Sequence, residues 1–133
     1  MAKVLSLGGV FFKSKDPAAL AAWYAEHLGM NIEASFGGAV FMPDQMPAKG
    51  YNIWTPFKSD SDYFEPSKQP FMINLIVDDL DGALAQVKAA GATLHGEPER
   101  SEFGAFGWFA DPDGNKVELW QPDGGSNGDN DTV

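Results

Sequence analysis

A chain of 133 residues, 44% hydrophobic and 13% aromatic, can bury one core without metal or disulfide staples and is too short for two ordinary domains. Its formal charge of -10, from nineteen acidic and nine basic side chains, disfavours nucleic acid and anionic membrane as partners, because both need clustered Lys and Arg. The absence of cysteine excludes a disulfide framework, a zinc-thiolate site and a thiol nucleophile. No run approaches the roughly 18 apolar residues of a membrane span, and Met1 to Phe12 carries neither a basic leader nor a cleavage site, so the expected setting is cytoplasmic.

Residues 4–13 hold apolar runs interrupted by Gly8 and Gly9, the pattern of a strand with a close approach or bulge. Asp16 before Pro17 matches a helix N-cap followed by proline at the first helical position. Leu20, Trp23, Tyr24 and Leu28 then recur at helical spacing until Gly29 stops the helix. His27 falls in the last turn, where the helix dipole favours an imidazolium, and reads as structural.

Between Met30 and Phe57 the apolar groups Ile32, Ala39 to Met42 and Tyr51 to Trp54 predict three short strands, separated by Gly37-Gly38 and a Pro43 to Pro47 turn. Residues 58–70 are polar and turn-rich and read as a linker. Beyond them the plan repeats: a strand over Phe71 to Val77, a helix capped by Asp79 and running through Ala90 to Gly91, and strands near Ala92 to Leu94, Gly104 to Ala110 and Lys116 to Gln121. Aligning Asp16 with Asp78 or Asp79, and Gly29 with Gly91, gives an internal offset of about 62 residues that lies in element order and caps, not in side-chain identity.

Asp111-Pro112-Asp113-Gly114-Asn115 reads as a tight turn between the last two strands, with Asp111 and Asp113 as turn formers. After it Val117 and Leu119 share one sheet face, and Lys116, Glu118 and Trp120 share the other. Residues 123–133 lack an apolar group to bury and are expected to form a flexible acidic tail.

The run from Phe106 to Pro122, FGWFADPDGNKVELWQP, resembles the closing signature of the vicinal oxygen chelate superfamily of glyoxalases, bleomycin resistance proteins and dioxygenases. Val10 to Pro17 with Leu20, Trp23-Tyr24 and His27-Leu28-Gly29 is similar to that family's opening strand and helix, and Asn74 to Leu80 to the start of its second half. The resemblance implies an α+β fold of two βαβββ modules, residues 4–57 and 71–122, in one domain over residues 1–122. Together the modules would form an open, curved mixed-sheet barrel around a cavity, with the helices outside. It also implies a homodimer.

In metal-dependent members the last-strand glutamate, here Glu118, commonly binds a divalent ion. The other expected ligand positions hold Gly9, which has no side chain, and Met72, whose thioether is a poor ligand for magnesium, manganese, iron(II) or zinc. His95 and the carboxylates Glu99, Glu102, Asp111 and Asp113 lie at no family ligand position. No cofactor is therefore expected, and a divalent metal is the alternative.

Strand parity places Leu7, Gly9, Phe11, Lys13, Met72, Asn74, Ile76, Lys116, Glu118 and Trp120 around the cavity, with Trp54 and Trp108 as neighbours. Phe11, Trp54, Met72, Asn74, Trp108 and Trp120 are the candidate ligand-binding residues of such an aromatic small-molecule pocket. Glu118 is the candidate general acid or base, because a carboxylate desolvated without a cation holds its proton more tightly. Pairing with Lys13 or Lys116 would instead make it structural.

The leading expectation is a metal-independent glyoxalase/bleomycin-resistance-like protein that binds a small organic molecule. The alternatives are a metal-dependent lyase, isomerase or dioxygenase using Glu118 with noncanonical donors, and a non-catalytic structural or partner-binding module. An apolar cavity with few ionisable groups, at least three convergent oxygen or nitrogen ligand donors near Glu118, and a cavity filled by side chains are the respective discriminating features.

Overall fold

The computed structural model describes residues 1–124, so most of the expected acidic tail lies outside the described residues. Helix α1 spans Pro17–Leu28. The Asp16 side chain accepts from Ala19 N, and Gly29, at φ 66°, turns the chain out of the helix while its N–H bonds the Tyr24 carbonyl. Helix α2 spans Leu80–Ala89 and is capped in the same way, by Asp79 accepting from Gly82 N at 3.0 Å. Gly91, at φ 97°, follows it. Both predicted helices, with their caps and glycine stops, are observed.

The main sheet is four-stranded and mixed, in the order β3-β6-β5-β4, with β3 at Ile73–Ile76, β4 at Glu99–Ser101, β5 at Gly104–Ala110 and β6 at Lys116–Gln121. β3 runs parallel to β6, whereas β5 is antiparallel to both β6 and β4. The strand expected near Ala92 to Leu94 is reduced to a single bridge, Leu94 with Phe109, flanked by hydrogen bonds from His95 N to Trp108 O and from Ala110 N to Thr93 O. It runs along the same edge of β5 as β4 does, with Gly96 to Pro98 between them.

Helices α1 and α2 both pack on one face of this sheet. Leu20 and Tyr24 of α1, and Leu80, Ala83, Leu84 and Val87 of α2, close over Ala105, Phe109, Val117 and Leu119. Gly107 of β5 lets α2 approach: a Cβ there would stand 2.7 Å from Leu84 Cδ1. Gln121 at the end of β6 ties the layers together, its Oε1 accepting from Leu80 N at 2.7 Å. Neither α1 nor α2 covers the opposite face, which carries Trp108, Glu118 and Trp120.

The first half departs from expectation. Residues 4–13 form no ladder, and Tyr51 to Trp54 form none either. Of the three strands expected between Met30 and Phe57, what forms is a small antiparallel pair, β1 at Ile32–Glu33 with β2 at Gly38–Ala39, followed by a short 3-10 helix at Pro43–Gln45. Apolar runs record which residues gain by being covered, but a strand also needs a hydrogen-bonded neighbour. These runs lack one, and several of their side chains stand in solvent: Phe11 is 97% exposed and Trp54 79%. The fold is thus α+β, with a mixed sheet and two helices, and the described residues form no closed barrel. No helix among the described residues is long and apolar enough to cross a membrane.

Candidate functional site

The turn from Asp111 to Asn115 sets the register of the site. Asp111 is buried; its Oδ1 accepts from Asp113 N and Asn115 N, and its Oδ2 accepts from Asn115 Nδ2 and from the Tyr24 hydroxyl at 3.0 Å. Gly114, at φ 82°, completes the turn by donating to the Asp111 carbonyl. The turn is thereby pinned to α1, and β6 leaves it in a register that pairs Trp108 with Glu118 and Phe106 with Trp120. On the other side β3 pairs Asn74 with Glu118. Three neighbouring strands therefore meet at one carboxylate.

Glu118 is 8% exposed, and three groups donate to it. Asn74 Nδ2 reaches Oε1 at 2.6 Å. Trp108 Nε1 and the Tyr63 hydroxyl both reach Oε2, at 2.8 and 2.5 Å. All three are uncharged donors, and a carboxylate offers about four lone-pair positions, so one acceptor position on Oε1 is left. Burial, followed by the hydrogen bond to Glu118, pushes the Tyr63 hydroxyl well above the ordinary tyrosine range. Lys116 does not pair with Glu118. Its ammonium donates to the Tyr63 carbonyl at 2.7 Å and lies 5.2 Å from the centre of the Tyr63 ring, with the Trp108 ring also in reach.

Around this carboxylate the face is aromatic. Phe106 and Trp120 stack at 5.9 Å, Tyr51 meets Trp120 edge-on at 4.9 Å, and Trp120 Nε1 donates to the Phe103 carbonyl. Phe57 stacks on Tyr63 at 5.7 Å, and Tyr63 meets Trp108 edge-on at 6.4 Å.

Of the residues singled out from sequence, the structure brings Asn74, Trp108, Lys116, Glu118 and Trp120 together. Met72 stands directly before β3 on the same parity. Phe11 and Trp54 stand exposed. Asn74 is exposed, and its amide donates to Glu118. His95 sits beside β5, where burial and then the Lys116 charge lower its pKa below the usual histidine value. Tyr63 and Phe57 escaped the reading because they lie at or next to the stretch taken as a linker. The signal available was two adjacent aromatics, Tyr63 and Phe64, inside an otherwise polar run. The surface depressions lined by Lys88, Leu94 and Glu97, and by Glu65 to Lys68, include no member of the Glu118 cluster.

The donor set does not fit a divalent cation. Glu118 is met by an amide N–H, an indole N–H and a phenol O–H, groups that offer hydrogens instead of lone pairs. Among the described residues no group of three or more His, Asp or Glu side chains converges.

A βαβββ order from β3 to β6, closed by a DPDGN turn and a glutamate on the last strand, defines a protein of the glyoxalase/bleomycin resistance/dioxygenase superfamily. Residues 9–120 match the sequence model of the glyoxalase-like domain, and the chain belongs to that family. Solved structures share the likeness. An integron cassette protein from the mobile metagenome of V. cholerae is 20% identical with a TM-score of 0.56, over 91% of this chain and 98% of that one. TnmS3, an antibiotic binding protein from Streptomyces sp. CB03234, is 26% identical with a TM-score of 0.49, over 82% and 88% of the two chains. A superfamily member from Sphaerobacter thermophilus is 24% identical with a TM-score of 0.48, over 91% and 98%. No curated protein matches the chain.

Proposed function

We propose that this protein is a glyoxalase/bleomycin-resistance-like binding protein that holds a small organic molecule on the aromatic face of its sheet without a metal ion. The observation that carries the reading is the buried Glu118 carboxylate, met by three uncharged donors and keeping one acceptor position beside tryptophan and phenylalanine rings. Flat π surfaces with one oriented polar anchor suit an aromatic or cationic organic ligand. Glu118 is then the group that takes a hydrogen bond, or a proton, from that ligand. A cytoplasmic setting accords with a chain that has no disulfide to protect.

The same reading assigns a homodimer. The large exposed apolar side chains fall almost wholly in the first half of the chain, among them Val4, Leu5, Phe11, Phe41, Ile53 and Trp54. Their burial by a second copy supplies the missing strands of an open barrel and encloses the Glu118 face as a cavity. A non-catalytic structural module is the second reading, and the seat of Tyr63 on Glu118 favours it.

The test is elemental analysis of protein purified without chelator or affinity tag, followed by calorimetric titration with manganese, nickel and zinc on wild type and Glu118→Ala. No stoichiometric metal and no Glu118-dependent heat are expected. Tight binding that disappears in Glu118→Ala overturns the reading in favour of a metal-dependent lyase, isomerase or dioxygenase. A thermal-shift screen of aromatic and cationic molecules then separates the binding protein, which is stabilised by some of them, from the structural module, which is stabilised by none.

A further inference from the structure

The position of Tyr63 differs in kind from that of the groups around it. Trp108, Lys116 and Glu118 all stand on β5 and β6, and Trp108 and Glu118 are buried there. Tyr63 arrives from outside the sheet, on the segment between Phe57 and Pro70. Hydrogen bonds within that segment are local: Ser61 N to Lys58 O, Glu65 N to Asp62 O, and Ser67 N to Phe64 O. Among the described residues its hydrogen bonds to the sheet run through Tyr63 alone, by the hydroxyl on Glu118 and by the carbonyl that receives Lys116.

The side chain so delivered is a phenol, and every group it meets matches a phenol. A carboxylate accepts its O–H at 2.5 Å. An indole meets its ring edge-on, and an ammonium lies 5.2 Å from the ring centre. Yet Tyr63 is 38% exposed, so it covers the slot without being locked into a core. Its departure would uncover a desolvated carboxylate with its Trp108 wall and Lys116 intact.

We propose that Tyr63 is the built-in occupant of a phenol site on the sheet, and that a free phenolic ligand takes its place when the segment lifts. The proposal rests on the reading of this face as a ligand-binding surface and narrows its ligand to molecules with an aryl hydroxyl. The tyrosine acts as an internal competitor: the apparent affinity for a free phenol is the intrinsic affinity multiplied by the fraction of molecules in which Tyr63 is out. Selectivity comes from Glu118, which rewards a ring that carries a hydroxyl over the same ring without one.

The test is a fluorine NMR titration with 4-fluorophenol, with fluorobenzene as the ring lacking the hydroxyl. The proteins are wild type, Tyr63→Phe, Tyr63→Ala and Tyr63→Ala/Glu118→Gln, each first shown to melt cooperatively. Removing the competitor is expected to tighten 4-fluorophenol binding by about tenfold or more in Tyr63→Ala. Tyr63→Phe, which keeps the ring but frees the carboxylate, falls between wild type and Tyr63→Ala. Adding Glu118→Gln lowers affinity for 4-fluorophenol by about tenfold, the scale of one charge-assisted hydrogen bond, and leaves fluorobenzene unchanged. If 4-fluorophenol binds no tighter to either Tyr63 variant than to wild type, or is not preferred to fluorobenzene, the phenol site is overturned while a ligand surface stands. If neither probe binds any variant, and the thermal-shift screen is also blank, both readings fall. Should Tyr63→Ala not melt cooperatively, Tyr63→Phe decides alone: no gain over wild type overturns the proposal.

Discussion

Replacing Asp111 by alanine takes one carboxylate away from four donors: the N–H groups of Asp113 and Asn115, the Asn115 amide and the Tyr24 hydroxyl. Buried donors left without a partner are costly, and we expect Asp111→Ala to lower stability by about 2–4 kcal/mol and Tyr24→Phe by about 1 kcal/mol, both measured by urea unfolding. From sequence Asp111 and Asp113 were equivalent turn formers. Only folding separates them, because the partner that sets Asp111 apart lies 87 positions away on α1. Glu118 was legible, since alternation places it beside Trp120 whatever the tertiary structure. Tyr63 was not, because a loop side chain's destination follows from no local period. Two pH effects belong at this scale. Tyr24 and Tyr63 both have hydroxyl pKa values raised first by burial, so their contribution to stability is full below the unfolded value of about 10 and is lost as pH rises above it. Tyr24→Phe and Tyr63→Phe should each flatten the alkaline arm of a stability-pH curve. His95 is shifted the other way, so it favours the fold above the unfolded value of about 6.5 and loses that contribution as pH falls through its lower folded value. Its imidazole signals in an NMR titration should move below that value, and Lys116→Met should bring the midpoint back up.

At the level of elements, two glycines on β5 distinguish a side-chain collision from a backbone one. An alanine at Gly107 would press on the end of Leu84, a flexible side chain of α2, and overpacking of this kind costs about 1–3 kcal/mol. At Gly104 the φ is 117° and the added Cβ would stand 2.3 Å from the Gln121 carbonyl oxygen, which cannot move without breaking the β5–β6 pairing. Gly104→Ala should therefore be the more damaging of the two when their melting temperatures are compared. Helix limits were readable from sequence because caps are local chemistry: Asp16, Pro17 and Gly29 act on groups within a turn of themselves, as do Asp79 and Gly91. In the second half the strands β3, β5 and β6 were readable because they find one another within the chain, whereas β4 at Glu99–Ser101 was not foreseen and the strand expected near Ala92 to Leu94 is a single bridge. Those of the first half were over-read. Residues 4–13 and Tyr51 to Trp54 have the composition of strands, and composition does not supply the neighbour that a ladder requires.

On the scale of the whole molecule, the two faces of the sheet are unequal. One is sealed by α1 and α2, while the other is only partly covered by the segment that carries Tyr51, Phe57 and Tyr63. If two copies cover the remainder, as proposed, analytical ultracentrifugation should show a dimer at micromolar concentration. Charges placed on two exposed apolar positions, Phe11→Asp with Trp54→Asp, should then yield monomers that keep the second-half core, seen as an unchanged near-ultraviolet signal from Trp108 and Trp120. A dimer that persists in that variant would place the interface elsewhere. The sheet order holds a separate consequence for how the chain is made. β6 comes after every other strand in sequence but lies between β3 and β5 in space, so no two of the other three strands except β4 and β5 can pair before it exists. During synthesis α1, α2 and β3 emerge with the helix-facing apolar side chains still lacking Val117 and Leu119 to close on. Until Gln121 has left the ribosome β3 has no partner strand, and the apolar side chains of α1 and α2 have only part of their sheet to close on.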